Sequence, residues 1–431
     1  MNPQRRKRYV QVGLGGRSRL YTEAIVGKFA EECELVGLCD TNRTRMDYCN
    51  EMIERETGKR VATYAANDFE KMVAECKPDV VIVTTRDCFH HTYIARAMEL
   101  GCDVISEKPM TTDAEKCQQI LDTQKRTGRR VTVTFNYRYS PIRSKCRELV
   151  RDGVIGDLRS VDFNWLLDVR HGADYFRRWH RNKENSGGLM VHKATHHFDL
   201  VNWWIDSRPK TVFAMGARTY ALPKTAKALG LEGHGERCLT CNVTYKCPYY
   251  LDLHRKEAHS RLYLQAEHED GYYRDQCVFA EGIDIEDQMS VTVRYENGVQ
   301  MAYSLLSFLP WEGYRLAING TIGRIELEVR ESSYISGDGT IQGALVKDRS
   351  KLRVFPLHDK PYDVAYPESE GGHGGGDDPM LFDVFGFRTD EDPLRRAATH
   401  LDGAYSILTG IAANKSIETG LPVEIDSLVR F

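Results

Sequence analysis

The chain has no run of about 18 apolar residues, the length a membrane-spanning helix needs. A membrane-embedded protein is therefore not the class to expect. It also lacks an excess of either charge: 59 basic side chains stand against 62 acidic ones, a net charge of -3. No global field would draw nucleic acid or an anionic membrane to it. A secretory core of about 7 to 15 apolar residues is missing too, because the basic start, Arg5 to Arg8, runs directly into a short strand. Cysteine is present but unpaired in pattern. Of 12 cysteines, eight stand singly in the first 150 residues inside regular segments, which suits reduced thiols better than a disulfide framework. A cytoplasmic protein with a small-molecule partner is the expectation, with no nucleic-acid and no membrane partner.

What is present describes a globular chain. Its 431 residues, 41% of them hydrophobic, set a prior of two or three domains with ample core. From Arg8 onward, short apolar runs alternate with amphipathic segments. Strands are predicted at Tyr9 to Val12, Leu35 to Leu38, Val80 to Val83, Val104 to Ile105 and Val131 to Phe135, with helices around 22–29, 43–55, 68–75, 91–100 and 113–125. This alternation predicts a doubly wound α/β domain with a parallel sheet over residues 1–136. Its first strand runs into Gly13, Gly15, Gly16, Arg17 and Ser18, and its second ends on Asp40, 25 residues after Gly15. Glycines so placed let backbone N–H groups meet a diphosphate at a helix start, and the later acid can hold both ribose hydroxyls. Ser18 stands where a third glycine is usual. Asp40 would repel a 2'-phosphate, which favours NAD over NADP; Arg43 close by is the contrary sign. Thr84, Thr85, Glu107 and Lys108 follow strand ends whose loops line a cofactor crevice, and His90 and Asn136 complete the expected cofactor set. Lys108 there is well placed to bind or polarise a substrate hydroxyl.

Residues 137–431 read differently. Alternation at Leu158 to Val169, Thr211 to Arg218, Met289 to Tyr295, Gln300 to Leu306, Arg315 to Asn319 and Arg324 to Val329 predicts a large, mostly antiparallel open sheet. One helix over 186–204 is predicted to lie against it. Four-residue spacing puts His192 and His196 on one helical face with Asp199 beyond, while Lys193 and His197 form the adjoining stripe. So many ionisable groups on an apolar helix point to a lined cavity. The two histidines can take a hydroxyl proton near neutral pH, or by their spacing hold a metal. Against metal, no third ligand is visible beside them, and Lys193 occupies the place where a zinc-protease motif needs glutamate. An insertion over 220–284 carries Cys238, Cys241, Cys247 and Cys277: either the parts of a structural zinc site or reduced, packed thiols. The glycine-dense stretch 371–376 either presents His373 and Asp377 to a site or serves as a linker. A core helix is predicted over 394–416.

Five motifs in order carry a resemblance: the glycine loop, Glu107-Lys108-Pro109, Asn136 to Tyr139, the Gly187-Gly188 helix start, and the closing segment 413–425. Together they resemble the Gfo/Idh/MocA family of glucose-fructose oxidoreductase, inositol dehydrogenase and their relatives. The resemblance implies a Rossmann domain followed by an α+β domain whose open sheet often serves oligomerisation, hence a homo-oligomer, dimer or tetramer. It implies NAD as cofactor and a secondary hydroxyl of a sugar, sugar derivative or cyclitol as the reacting group. It also implies Lys108 between nicotinamide and substrate. His196 matches the family's catalytic histidine, and His192 replaces its usual aspartate; a second imidazole there depresses basicity where a carboxylate would raise it. Tyr137, Arg138, Lys193, His197, Asp199 and His373 are left as substrate contacts. The same family includes NAD-dependent glycosidases that oxidise a sugar transiently, which is the alternative reading. A silent sugar or dinucleotide sensor is the third, and loss of Lys108 would have signalled it.

Overall fold

In the computed structural model, which describes residues 5–332, 350–368, 372–386 and 390–431, two sheets organise the chain. The first contains β1 (Lys7–Val12), β2 (Cys33–Asp40), β3 (Ala62–Ala65), β4 (Val80–Val83), β5 (Asp103–Ser106) and β6 (Val131–Val133). All six are parallel, in the order β6-β5-β4-β1-β2-β3. Strand order reverses between β4 and β1, and a crevice opens at that point beyond the carboxyl ends. β4 is buried throughout, as a parallel strand covered on both faces must be. β3 was not anticipated: it is a four-residue edge strand, mostly exposed, with no apolar run to mark it.

The second sheet contains β7 (Leu158–Asp168), β8 (Pro209–Ala217), β9 (Gln288–Tyr295), β10 (Gln300–Leu309), β11 (Glu312–Gly320), β12 (Gly323–Ser332), β13 (Ser350–Pro356) and β14 (Tyr362–Asp363). Two further pairs of residues extend the sheets: β15 (Ala398–Thr399) adds an antiparallel edge to β6, and β16 (Val423–Glu424) pairs with β8. The order is β14-β13-β12-β11-β7-β10-β9-β8-β16, antiparallel except where β7 meets β10. Along β9, Met289, Val291, Val293 and Tyr295 point inward and the residues between them outward. The inward set joins Val161, Phe163 and Trp165 of β7 in one core. The last helix, His400–Thr419, starts and ends later than the predicted 394–416, because Thr399 and Asp402 form a capping box and Gly420 stops it at φ 70°.

The helix predicted over 186–204 is broken. It runs as Gly188–His192 and Ala194–Ile205, interrupted at Lys193, after Gly187 and Gly188 both take positive φ. The interruption separates the two stripes read from the sequence. His192, Lys193 and His196 stay at one cavity, whereas His197 turns into the core, stacked on Trp165 and bonded through Nδ1 to Tyr303 Oη at 2.6 Å.

The insertion joins β8 to its antiparallel neighbour β9, so it is the connection of a hairpin. Both of its ends meet at Asp287, whose carboxylate accepts from the backbone N–H groups of Thr219, Tyr220 and Ala221. Short helical turns fill it, and Leu231, Val243, Tyr249, Val278, Phe279 and Ile283 bury themselves in the main core.

One buried ion pair crosses the molecule. Arg138, just past the first sheet, donates to Asp199 of the second half-helix (2.8 Å through Nε) and to Asp402 of the last helix (2.9 Å). Arg138 and Asp199 are 2% and 1% exposed. Asp199→Asn should lower stability by about 3 kcal/mol, since removing one partner leaves a buried charge half-compensated. Urea unfolding of the two proteins measures it.

Candidate active site

A cavity of about 560 Å³, within the size range of small-molecule sites, opens at the carboxyl ends of β1, β2, β4 and β5. Its walls are the helix Val169–Arg177 and the segment after it, residues 192–196, and Tyr263, Asp270 and Tyr272 of the insertion.

At one end lies the glycine loop. Gly13 has φ 84°, and a Cβ there would stand 2.6 Å from the backbone of Thr85, so the two loops touch only because it is glycine. A Cβ on Gly15 would meet no protein atom within 4 Å, and one on Gly16 only the Tyr263 hydroxyl at 3.0 Å. Those two glycines keep the loop free of side chains where it borders the cavity, and the Gly16 N–H donates to the Tyr263 hydroxyl at 3.1 Å. Ser18, in place of a third glycine, donates its hydroxyl to Gly15 O at 2.7 Å and holds the loop itself. Asp40 is buried and accepts from Leu14 N (2.5 Å) and Asn42 N (2.8 Å); burial pushes its carboxyl above the ordinary value. It faces the same cavity. A glycine loop at a strand end, followed by an acid at the end of the next strand, is a set that fits a dinucleotide's diphosphate and adenosine ribose.

Glu107 locks this end. Its carboxylate accepts from Arg17 Nε (2.5 Å), Tyr21 Oη (2.7 Å) and Lys108 N (3.1 Å). Burial raises its carboxyl, but the charges of Arg17 and Lys108 outweigh that and hold it below the usual range. Arg17 also reaches Asp377, which accepts from Asn136 Nδ2 at 2.7 Å. Thr84 donates to Gly13 O, and both ring nitrogens of His90 face carbonyl oxygens, of Pro109 and Thr85. His90 is thus a brace between the two strand-end loops. Arg43 does not reach the cavity: its side chain is 86% exposed beside Asp47. Arg45 lines the cavity in its stead, paired with Asp270 at 2.5 Å.

The other end gathers proton-transfer groups. His192 Nδ1 lies 2.5 Å from Asp87 Oδ2, a carboxylate on the loop after β4. Burial pushes the His192 imidazole well below its ordinary value, with the charges of Lys108 and Arg178 adding to it, and burial likewise raises Asp87. Lys108 Nζ donates to His192 O at 3.4 Å, and burial brings its ammonium down to about 8 despite Glu107 and Asp87. His196 stacks on Tyr137 at 4.3 Å, and Lys193 donates to Tyr137 Oη at 3.1 Å. His180 sits with its ring 4.1 Å from His192, and its Nδ1 is buried without a hydrogen-bond partner among the described residues. Tyr175 Oη lies 2.8 Å from His171 Nε2, whose Nδ1 meets Glu312 at 2.7 Å.

The structure therefore brings Lys108, His192, His196, Tyr137 and Lys193 together with the glycine loop, Asp40, Thr84, Thr85, His90, Glu107 and Asn136. Arg138, His197 and Asp199 do not line the cavity; they are buried in packing and in the ion pair above. The His373 side chain lies outside the described residues. Sequence reasoning missed His171, Tyr175, His180, Arg45 and Asp270, and the pairing of Asp87 with His192. His171 and Tyr175 carried a signal, four-residue spacing on one helix; Asp87 stood in the strand-end loop after Thr84 and Thr85 that was expected to line the crevice, but its pairing with His192, 105 residues away, carried none.

The zinc expectation is not supported. Among the described residues no group of three or more His, Cys, Asp or Glu is placed to hold a metal. Cys238, Cys241, Cys247 and Cys277 are free and line one small void of about 20 Å³. Cys238 and Cys241 accept backbone N–H groups of Leu251 and Gly235, and burial raises the thiols of Cys238, Cys247 and Cys277. Ion pairs cross-link the insertion beside these thiols: Arg237 grips Asp275 and Glu267. Likewise the His192–His196 pair is engaged by Asp87 and Tyr137.

Comparison with known proteins agrees with this geometry. The oxidoreductase family's NAD-binding Rossmann fold matches residues 7–135, and its C-terminal alpha/beta domain matches residues 147–425. The oxidoreductase-named protein YteT of Bacillus subtilis is 38% identical over 434 residues, covering 98% of each chain. Glycosyl hydrolase family 109 protein 1 of Akkermansia muciniphila is 29% identical over 192 residues, 42% of this chain and 39% of that one. D-glucoside 3-dehydrogenase of Escherichia coli is 30% identical over 202 residues, 47% of this chain and 54% of that one. With both halves matched in order, the chain belongs to the Gfo/Idh/MocA family of oxidoreductases.

Proposed function

We propose that this protein is an NAD-dependent oxidoreductase acting on a secondary hydroxyl of a sugar, sugar derivative or cyclitol. The observation that carries the reading is the contact between Asp87 and His192 beside Lys108, at the opposite end of one cavity from the glycine loop and Asp40. NAD, when bound, would accept the hydride from the carbinol carbon. The chain's own residues handle the proton. With Nδ1–H donated to Asp87, the neutral His192 ring has Nε2 left as the acceptor for a hydroxyl proton. Lys108, as ammonium, holds that oxygen while negative charge grows on it. His192 thus takes the place of the family's usual aspartate, and its carboxylate comes from Asp87 in the first sheet. Trp179, stacked on His180 at 3.6 Å, offers aromatic surface suited to a sugar face.

A second reading, redox-neutral cleavage of a glycoside after transient oxidation, is favoured by the number of acid–base groups around the cavity. Oxidation occupies His192 and Lys108, which leaves His196, Tyr175 and the His171–Glu312 pair for elimination and protonation. The relative named as a glycosyl hydrolase supports it, as the one named as a glucoside dehydrogenase supports the first. Self-association is proposed through the open face of the second sheet, where Phe213 and Met215 are 38% and 68% exposed.

Incubation with NAD and a panel of sugars, cyclitols and glycosides tests both: accumulating NADH marks the dehydrogenase, and aglycone release without NADH marks the second route. No turnover on any panel member, with NAD bound, would remove both. Asp87→Asn should reduce kcat by about 100-fold or more while NAD affinity changes little, as expected for loss of an assisted proton transfer. In pH profiles, kcat/KM should be flat from about pH 6 to 7.5, because His192 is already neutral there, and should fall as pH rises through about 8, where Lys108 loses its charge.

A further inference from the structure

The insertion does more than pack against the second sheet. Its segment 260–272 crosses to the first domain and lies along the adenosine end of the cavity. Arg45 donates through Nε to Leu262 O (2.9 Å) and pairs with Asp270, while Asn42 Nδ2 donates to Ala266 O (2.8 Å). Glu269 accepts from Arg43 N, Thr44 N and Thr44 Oγ1, and so caps the helix Arg43–Thr57 that follows Asp40. Arg261 reaches Glu51, and Leu262, Tyr263 and Tyr272 pack with Tyr48 in a small apolar cluster. Three observations point from this contact to a ligand. The Tyr263 hydroxyl accepts from Gly16 N at 3.1 Å, and that N–H is one a dinucleotide diphosphate takes in this kind of loop. Tyr263, Asp270 and Tyr272 line the same cavity as Asp40. Asp270 sits close enough to Asp40 to raise its carboxyl.

We infer that this segment is a cofactor strap: Tyr263 and Asp270 are dinucleotide-binding residues, Glu269 is a positioning residue, and the strap slows cofactor release and rejects a 2'-phosphate. The inference rests on the proposed use of NAD. A phenol hydroxyl can both accept from Gly16 N and donate to a diphosphate oxygen, so Tyr263 extends the glycine loop's donor set from the opposite side. Departure of a cofactor held from both sides requires the polar contacts of 260–272 with residues 42–45 to open together. Asp40 and Asp270 line the cavity together, and Asp270 engages Arg45, the cation 4.0 Å from Asp40 that could otherwise meet the extra phosphate of NADP. Like charges that close disfavour NADP far more than NAD.

The test uses the full-length protein. NADH release is followed by stopped-flow fluorescence, and NAD and NADP affinities by calorimetry, for wild type, Tyr263→Phe and Asp270→Asn. Tyr263→Phe deletes one hydroxyl and keeps the ring in its cluster. It should speed NADH release about tenfold, the effect of one hydrogen bond to a charged group. Asp270→Asn should narrow the preference for NAD over NADP by about tenfold as well as speed release. Circular dichroism and melting temperature matching wild type make each result interpretable, and should Asp270→Asn unfold, Tyr263→Phe alone decides. Unchanged release and unchanged NAD/NADP preference in folded variants would overturn the strap and leave the oxidoreductase reading intact. Failure of the wild type to bind any dinucleotide would overturn both.

Discussion

The carboxylate of Asp87 against the imidazole of His192 is the interaction on which the rest of the site depends. One group stands on a loop of the first sheet, the other ends a half-helix packed on the second, and their 2.5 Å contact fixes how the two halves face each other across the cavity. Both are buried, and Lys108 beside them is half-buried. Low dielectric makes each charge costly alone and each pairing strong, so the three groups set one another's protonation. Burial disfavours charge on either partner and drives the imidazole toward its neutral form.

How much of this was legible depended on distance along the chain. The cofactor end is written in contiguous stretches, since a strand, a glycine loop and an acid at the next strand's end obey local rules. Hence the gathering of Gly13, Gly15, Asp40 and Glu107 at strand ends around one cavity was legible from order alone. Ser18 was legible as a departure, but not its remedy, a hydroxyl bonded back to Gly15 O. At the other end, period arguments brought His192, Lys193 and His196 to one cavity and failed for His197 and Asp199, which are taken by Tyr303 and Trp165 and by Arg138. A helical wheel assumes continuity, and nothing local signals the break at Lys193. Arg43 and Arg45 illustrate the same limit. Both follow Asp40, yet only the second turns inward, drawn by Asp270 from a segment 225 residues later.

The cysteines show a different limit. Spacing such as Cys238 to Cys241 is shared by metal sites and by ordinary turns, and composition cannot separate them. What the spacing does not show is what surrounds the thiols: backbone donors and a set of arginine–carboxylate pairs that hold the insertion together. That scaffold stiffens the root of the segment that reaches residues 42–45, since Arg237 grips Glu267 two residues before Glu269.

The clamp at Asp287 has an architectural consequence. By gathering Thr219, Tyr220 and Ala221 onto one carboxylate at the foot of β9, it makes the two ends of the insertion neighbours, so β8 and β9 keep their register whatever lies between them. Closing a loop costs only about 0.6 kcal/mol more for each doubling of its length. A hairpin sealed in this way can exchange a short turn for an elaborate appendage with little thermodynamic resistance. Lineages built on this framework can therefore diversify at that junction while the sheet beneath stays the same.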